Sequence, residues 1–286
     1  MKLGLCLSGG GIKGAAHIGV LKAFEEEKIK IDYISGTSSG SIVASLYAMG
    51  YSADKILEIF KKYSSSIKYF EYKNILYLIL GIIFKRKIII KGLNSGNKIE
   101  KIMMKACEEK NIYNINEINI PLIIPSVNLA NGEIYCFCSK NIRNTFSDET
   151  VYINDADMCK VVRASCSYPV IFEPCKYNGI NLIDGGVREN IPWKYTKQLG
   201  ADKVISIVFK EIINNKEITN FFDVATKSLE ILGHELSNYE LYGADYLIKI
   251  KSEKIALLDK SKINYLYNIG YDETKKVINN IKKEIK

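Results

Sequence analysis

Twice before residue 41 an apolar stretch breaks on glycines and resumes as a helical pattern, first in LGLCLSGGGIKGAAHIGV and then in YISGTSSGSIVASL. A short buried strand, a glycine turn and an amphipathic helix make the opening half of a βαβ unit. Leu3–Leu7 reads as the first strand and Lys13–Glu27 as its helix. Tyr33–Ser35 reads as the second strand, with a helix through about Met49. Two such units in succession point to an α/β layered sheet.

Gly9, Gly11 and Gly14 spell G-x-G-x-x-G, the pattern that sets backbone N–H groups at a helix N-terminus around a pyrophosphate. The same donors serve equally well around the oxyanion of an ester undergoing hydrolysis. For a dinucleotide site an acidic residue should close the second strand. Asp32 instead precedes that strand, and Gly14 is followed by Ala15-Ala16 rather than the Lys-Ser/Thr of a Walker loop. A tight turn with no ligand is the third reading of such a loop.

The position that closes the second strand is occupied by Gly36-Thr37-Ser38-Ser39-Gly40, a G-x-S-x-G nucleophile elbow at a strand-to-helix boundary. Side chains two residues either side of such a serine would collide, so glycines flank it. The turn lifts Ser38 Oγ to a helix N-terminus, where the Ser39 N–H and the helix dipole favour developing negative charge. Turns after adjacent parallel strands open into one crevice, so the glycine loop and the elbow are expected to face each other.

A nucleophilic serine needs a proton acceptor, and the chain has two histidines. His17 falls in the apolar first helix, where a structural, hydrogen-bonded ring is expected. His234, in GHELSNYE, is the one eligible triad member by the chain order Ser, acid, His, but it too falls in a predicted helix. In NLIDGGVRENIP, Asp184 ends a short apolar strand, and Gly185-Gly186 let another backbone come close. An ordinary aspartate is a weak base toward a hydroxyl, so Asp184 would have to be desolvated or tightly coupled to Ser38.

The three motifs, Gly9–Gly14, Gly36–Gly40 and Asp184–Gly186, together with RASCSYPVIFEP (Ser165 and Pro169) ahead of the acid, resemble the patatin-like phospholipase family, in particular its bacterial single-domain members. The resemblance implies a three-layer α/β/α sandwich with a mostly parallel central sheet. It implies Ser38 as nucleophile, Asp184 as its base, and an oxyanion hole from the Gly9, Gly10, Gly11, Lys13, Gly14 and Ser39 region. Lys13 stands where the family often carries Arg. The implied reaction is hydrolysis of a lipid or other acyl ester through an acyl-serine, with no metal or cofactor. A Ser–Asp–His esterase using His234, and a non-catalytic lipid- or nucleotide-binding protein, are the alternatives.

Residues 3–208 are expected to form the catalytic domain, with 64–93 as a cap or lid insertion and 209–286 as a C-terminal helical extension packed on the same domain. Helices are expected near Lys98–Glu109, Ala156–Ala164, Phe221–Tyr239 and Asp272–Lys283. Two Asn-Gly hairpins lie near residues 131 and 178, and a strand at Lys203–Val208. Tyr69–Lys91 combines an apolar run too short to span a bilayer with the cations Lys85, Arg86 and Lys87. It is read either as a packed cap helix with a solvated basic end or as a peripheral membrane contact. The formal charge of +8 is spread over the whole chain with no basic stripe, which argues against nucleic acid. Seven cysteines without metal-ligand spacing fit a reduced, cytoplasmic setting. Oligomeric state is not readable from the sequence.

Overall fold

The computed structural model describes residues 1–66, 76, 80, 91–142, 149–211, 221–253, 255–257 and 259–285. The expected cap at 64–93, including most of Tyr69–Lys91, therefore lies largely outside the described residues. The described strands are β1 (Leu3–Leu7), β2 (Tyr33–Gly36), β3 (Leu122–Asn128), β4 (Ile134–Cys138), β5 (Thr150–Ile153), β6 (Cys175–Tyr177), β7 (Ile180–Asp184), β8 (Lys203–Glu211) and β9 (Tyr246–Ser252). The described helices of two turns or more are α1 (Gly14–Glu26), α2 (Ser39–Ala48), α3 (Ala53–Ser66), α4 (Asn97–Lys110), α5 (Met158–Ser165), α7 (Phe221–Glu240) and α8 (Ile263–Glu284). The shorter α6 (Trp193–Gln198) follows Pro192.

The sheet runs β5-β4-β3-β2-β1-β8-β9, with β7 also on β3 and β6 on β7. It is mostly parallel, as β2, β1, β8 and β9 all run with β3, and β4 and β7 run against it. Alternation along β1 divides the layers. Leu3, Leu5 and Leu7 enter the large core shared with α1 to α5 and α8. Gly4 and Cys6 face α6, which lies so close that a Cβ on Gly4 would sit 2.7 Å from the Thr196 methyl. Helices thus cover both faces, the three-layer sandwich the motifs imply.

The registers of β3 carry the feature that builds the site. Ile34 and Ser35 of β2 pair with Leu122 and Ile123, whereas Ser126, Val127 and Asn128 pair with Asp184, Ile183 and Leu182 of β7. β4 pairs with residues from both stretches, so β2 and β7 share the other edge of β3, end to end. Pro125 falls in the gap between them. Leu122 O accepts from Ser139 N at 2.9 Å and Asn128 N donates to Glu133 O at 2.9 Å, so even-numbered residues bond toward β4. The N–H that Pro125 lacks would therefore point at the changeover, where no strand needs it.

The tail supplies more than helices: β9 pairs in parallel with β8 over Ile205–Glu211, adding an edge strand where only a helical extension was expected. Helix α8 begins at Ile263, nine residues before the expected Asp272. It packs along α1 through paired glycines. A Cβ on Gly270 would lie 2.0 Å from Ala16 O, and one on Gly19 would lie 2.0 Å from Tyr267 O. Glu27 at the end of α1 pairs with Lys275, and with Lys282 at 2.6 Å. Gly270→Val forces these helices apart at a backbone contact and should cost about 3 kcal/mol or more, a fall in Tm on the order of 6–12 °C by thermal melting. Gly233→Ala, where an added Cβ meets nothing within 4 Å, should leave Tm unchanged or slightly raised.

Candidate active site

Ser38 sits in the turn between β2 and α2 with φ +52° and ψ −124°, a strained conformation for a residue with a side chain. The turn is over-determined on every side. Ser38 N–H donates to Ser165 Oγ at 3.1 Å. Its carbonyl accepts from Ser41 Oγ at 2.6 Å and from Cys166 Sγ at 3.2 Å. Thr37 N–H reaches Leu7 O at 3.1 Å, and its hydroxyl reaches Glu189 O at 2.8 Å. The flanking glycines are required by contact: a Cβ on Gly36 would lie 2.4 Å from Gly40 O, and one on Gly40 would lie 2.3 Å from Leu7 O.

Asp184 ends β7 and is 1% exposed. Its N–H donates to Ser167 O at 3.1 Å, and Oδ1 accepts from Gly186 N at 2.8 Å. Oδ2 is buried, and the Ser38 hydroxyl faces the carboxyl. Burial pushes the Asp184 carboxyl up to about 7, against the opposing pull of the Ser38 hydroxyl and the Gly186 N–H. Ser38 and Asp184 thus meet at the β3 changeover. The end of α5 and the turn after it hold both, Ser165 bonding Ser38 and Ser167 bonding Asp184.

The glycine loop lies beside the elbow, as adjacent parallel strands require: a Cβ on Gly9 would lie 3.2 Å from Ser38 Cβ. Not every expected oxyanion donor is available. Gly9 N–H is committed to Asn190 Oδ1 at 3.0 Å, Lys13 N–H to Gly10 O at 3.2 Å, and Gly14 N–H to the turn carbonyls of Gly11 and Ile12. The amides of Gly10, Gly11 and Ser39 bond no acceptor among the described residues. The donor set therefore narrows to those three. Lys13 Nζ instead stands 5.7 Å from the Phe209 ring centre. Gly185 is packed against Pro125, where a Cβ would lie 2.3 Å from the carbonyl oxygen.

The histidines divide as expected. His17 is fully buried, with Nε2 2.8 Å from Ser8 O and its ring 5.0 Å from that of Phe209; burial lowers its pKa to about 4. His234 lines the same cavity as Ser38 but is exposed, with Glu235 at 3.7 Å and Asn238 at 3.4 Å from Nδ1. Neither histidine bonds Ser38 or Asp184 among the described residues.

Several supporting residues carry no local sequence signal. Asn190 accepts from Gly9 and donates its Nδ2 to Ser237 Oγ at 3.0 Å, while its N–H meets Glu240 Oε1 at 2.7 Å. It joins the glycine loop, the acid loop and α7. Leu257, in the β9–α8 connection, accepts from Ile12 N at 2.8 Å and closes over Gly11. The site opens into a cavity of about 740 Å³ that Ser38, Asp184, Gly10 and Gly11 all line, within the range of small-molecule and lipid sites.

The sandwich thus gathers an elbow serine, a desolvated aspartate and a glycine loop around one cavity. Residues 5–197 match the family described as Patatin-like phospholipase, and the chain belongs to that family of lipid-hydrolysing enzymes. It is 31% identical over 208 residues to Lysophospholipase NTE1 of Meyerozyma guilliermondii, and 28% identical over 206 residues to Lysophospholipase NTE1 of Candida albicans. Each match covers 72% of this chain but 12% and 13% of those much longer proteins. Among solved structures, VipD from Legionella pneumophila aligns with a TM-score of 0.55 at 15% identity, over 98% of this chain and 67% of that one. That likeness is one of fold.

The raised pKa of Asp184 has a consequence for stability. Between the usual carboxylate range near 4 and about 7, the folded protein keeps a proton that the unfolded chain has released. Asp184 therefore subtracts from stability progressively as pH rises through that window, by at most about 4 kcal/mol once above it. Asp184→Asn should raise Tm relative to wild type at pH 8 and lose most of that advantage at pH 4. Equal differences at both values would contradict a buried, neutral-range Asp184.

Proposed function

We propose that the protein is a serine acyl-ester hydrolase acting on lipids, a phospholipase A or lysophospholipase, through a Ser38–Asp184 dyad. The observation that carries this reading is the meeting of a strained elbow serine with a fully buried carboxyl whose pKa is about 7. Such a carboxylate is a stronger base near neutral pH than an ordinary aspartate, which is ionised there but weak. Asp184 takes the hydroxyl proton as Ser38 Oγ attacks the ester carbonyl. The amides of Gly10, Gly11 and Ser39, with the α2 dipole, stabilise the tetrahedral oxyanion. The proton passes to the leaving alcohol, and Asp184 then activates the water that releases the fatty acid from the acyl-serine. These steps draw every proton transfer from the dyad itself.

The relatives named as lysophospholipases support a lipid substrate, and the cavity supports one of that size. We place the activity in a reducing, cytoplasmic setting, supported by seven free and buried cysteines. On the same reading Tyr69–Lys91 gives peripheral membrane contact through Lys85, Arg86 and Lys87. Replacing those three should weaken sedimentation with anionic vesicles at low salt, and unchanged binding would remove the membrane role.

Kinetics on a short-chain p-nitrophenyl ester test the dyad. Ser38→Ala should abolish turnover and Asp184→Asn should lower kcat by ~10²–10⁴, both variants remaining folded. His234→Ala should stay near wild type. Collapse in His234→Ala with an active Asp184→Asn would replace the dyad with a triad.

A further inference from the structure

Where the substrate's alcohol portion goes is written at the far end of the cavity. In the sheet, β8 and β9 lie beyond β1 from the elbow. Three interstrand steps separate the ends of β2 and β9, roughly 14 Å at ~4.8 Å each. There β8 outruns β1, which pairs with it only as far as Leu7 opposite Ile207. Val208 pairs with Lys249 and Lys210 with Lys251, so all four side chains project from one face. Val208 is buried under the helical layer, while Lys210, Lys249 and Lys251 are exposed.

Lys210 and Lys249 both line the cavity that holds Ser38 and Asp184, as do His234 and Asn238 of α7. Neither lysine pairs with a carboxylate among the described residues. Of the α7 acids, Glu230 pairs with Lys227 at 3.2 Å and adds negative charge beside Tyr168, and Glu235 lies 3.7 Å from His234. Glu240, on the same helix, accepts from Asn190 and Ile191. Tyr63, Tyr168, Pro169 and Phe172 line the same cavity. The lysines enter it from β8 and β9, beyond β1 from the elbow, whereas Tyr168, Pro169 and Phe172 enter it from the segment after α5.

We propose that Lys210 and Lys249 form an anion subsite for the phosphate on the alcohol side of the scissile ester, so that the enzyme prefers single-chain lipids with an anionic head group. The inference rests on the hydrolase reading above. With the carbonyl at Ser38 and the acyl chain along Tyr63, Tyr168 and Phe172, the glycerol unit and a lysine side chain together bridge the remaining distance. Two partly solvated charge contacts correspond to a preference of about tenfold. That preference shrinks as salt is raised.

The test compares a lysophosphatidic acid with the monoacylglycerol bearing the same acyl chain, both below micelle formation. Wild type should show about tenfold higher kcat/KM on the phosphorylated lipid. The Lys210→Gln/Lys249→Gln double variant should lose that advantage through KM and keep its monoacylglycerol rate, with an unchanged melting curve. Equal wild-type rates on the two lipids, or a double variant slowed equally on both, would overturn the subsite while leaving the hydrolase reading intact. If wild type hydrolyses neither ester, the hydrolase reading fails, and the subsite is read by equilibrium binding of lysophosphatidic acid to Ser38→Ala. Tighter binding there than to Ser38→Ala/Lys210→Gln/Lys249→Gln supports it, and equal binding overturns it.

Discussion

One edge of β3 changes partners between Ile123 and Ser126, and the site depends on that change. β2 pairs up to Ile123 and leaves as the elbow; β7 arrives antiparallel and stops at Asp184 opposite Ser126. The two strand ends point at each other across a gap of two residues, one of them Pro125. A serine and an aspartate far apart in the chain are thereby fixed by ladder hydrogen bonds rather than by flexible loops. Everything else around the site reinforces that meeting. Ser165 and Ser167 bond one member each, and Arg163, buried at 2% exposure, bonds Ser167 Oγ at 2.5 Å and the carbonyls of Ser95 and Glu173.

The arrangement opposes stability in ways that serve the proposed chemistry. Ser38 is held at a positive φ, and Asp184 is a buried carboxyl whose desolvation the Ser38 hydroxyl and the Gly186 N–H offset only in part. Each costs on the order of 1–3 kcal/mol. The offset comes from elsewhere, chiefly the large core in which α1 is buried between the sheet and α8. The paired glycines at that helix crossing bring the backbones together and make the burial continuous. The same desolvation that destabilises Asp184 gives it a neutral-range pKa, so the destabilisation and the basicity have one cause.

The local parts of this design were legible in the sequence because their causes are local. The glycines of the elbow and of the first turn follow from backbone collisions within a few residues. Asn178-Gly179 adopts the left-handed geometry at both positions that a tight hairpin needs, with φ +45° and +83°. The remainder depends on distant partners. β9 lies where the sequence pattern suggests only helices, although YLIKIKS alternates apolar and charged residues over Ile248–Lys251 as an edge strand does. α8 runs from Ile263 through Gly270 before it reaches the expected Asp272. That glycine is there for Ala16, on the other side of the chain's length. The engagement of Gly9 by Asn190, which removes one expected oxyanion donor, has no signature short of the folded loop. The partner change on β3 had a single local trace, a proline inside an interior strand.

In the proposed mechanism, Ser38 is made nucleophilic by a carboxyl that burial has brought into the neutral range. It is tested most directly by the rate at which a fluorophosphonate labels the protein across pH 5 to 9, with the modified peptide identified by mass spectrometry. The account predicts label on Ser38 alone, at a rate that rises with pH and is half-maximal near 7, and that both the label and its titration vanish in Asp184→Asn. Label on another serine, or a Ser38 rate whose titration persists in Asp184→Asn, would contradict it.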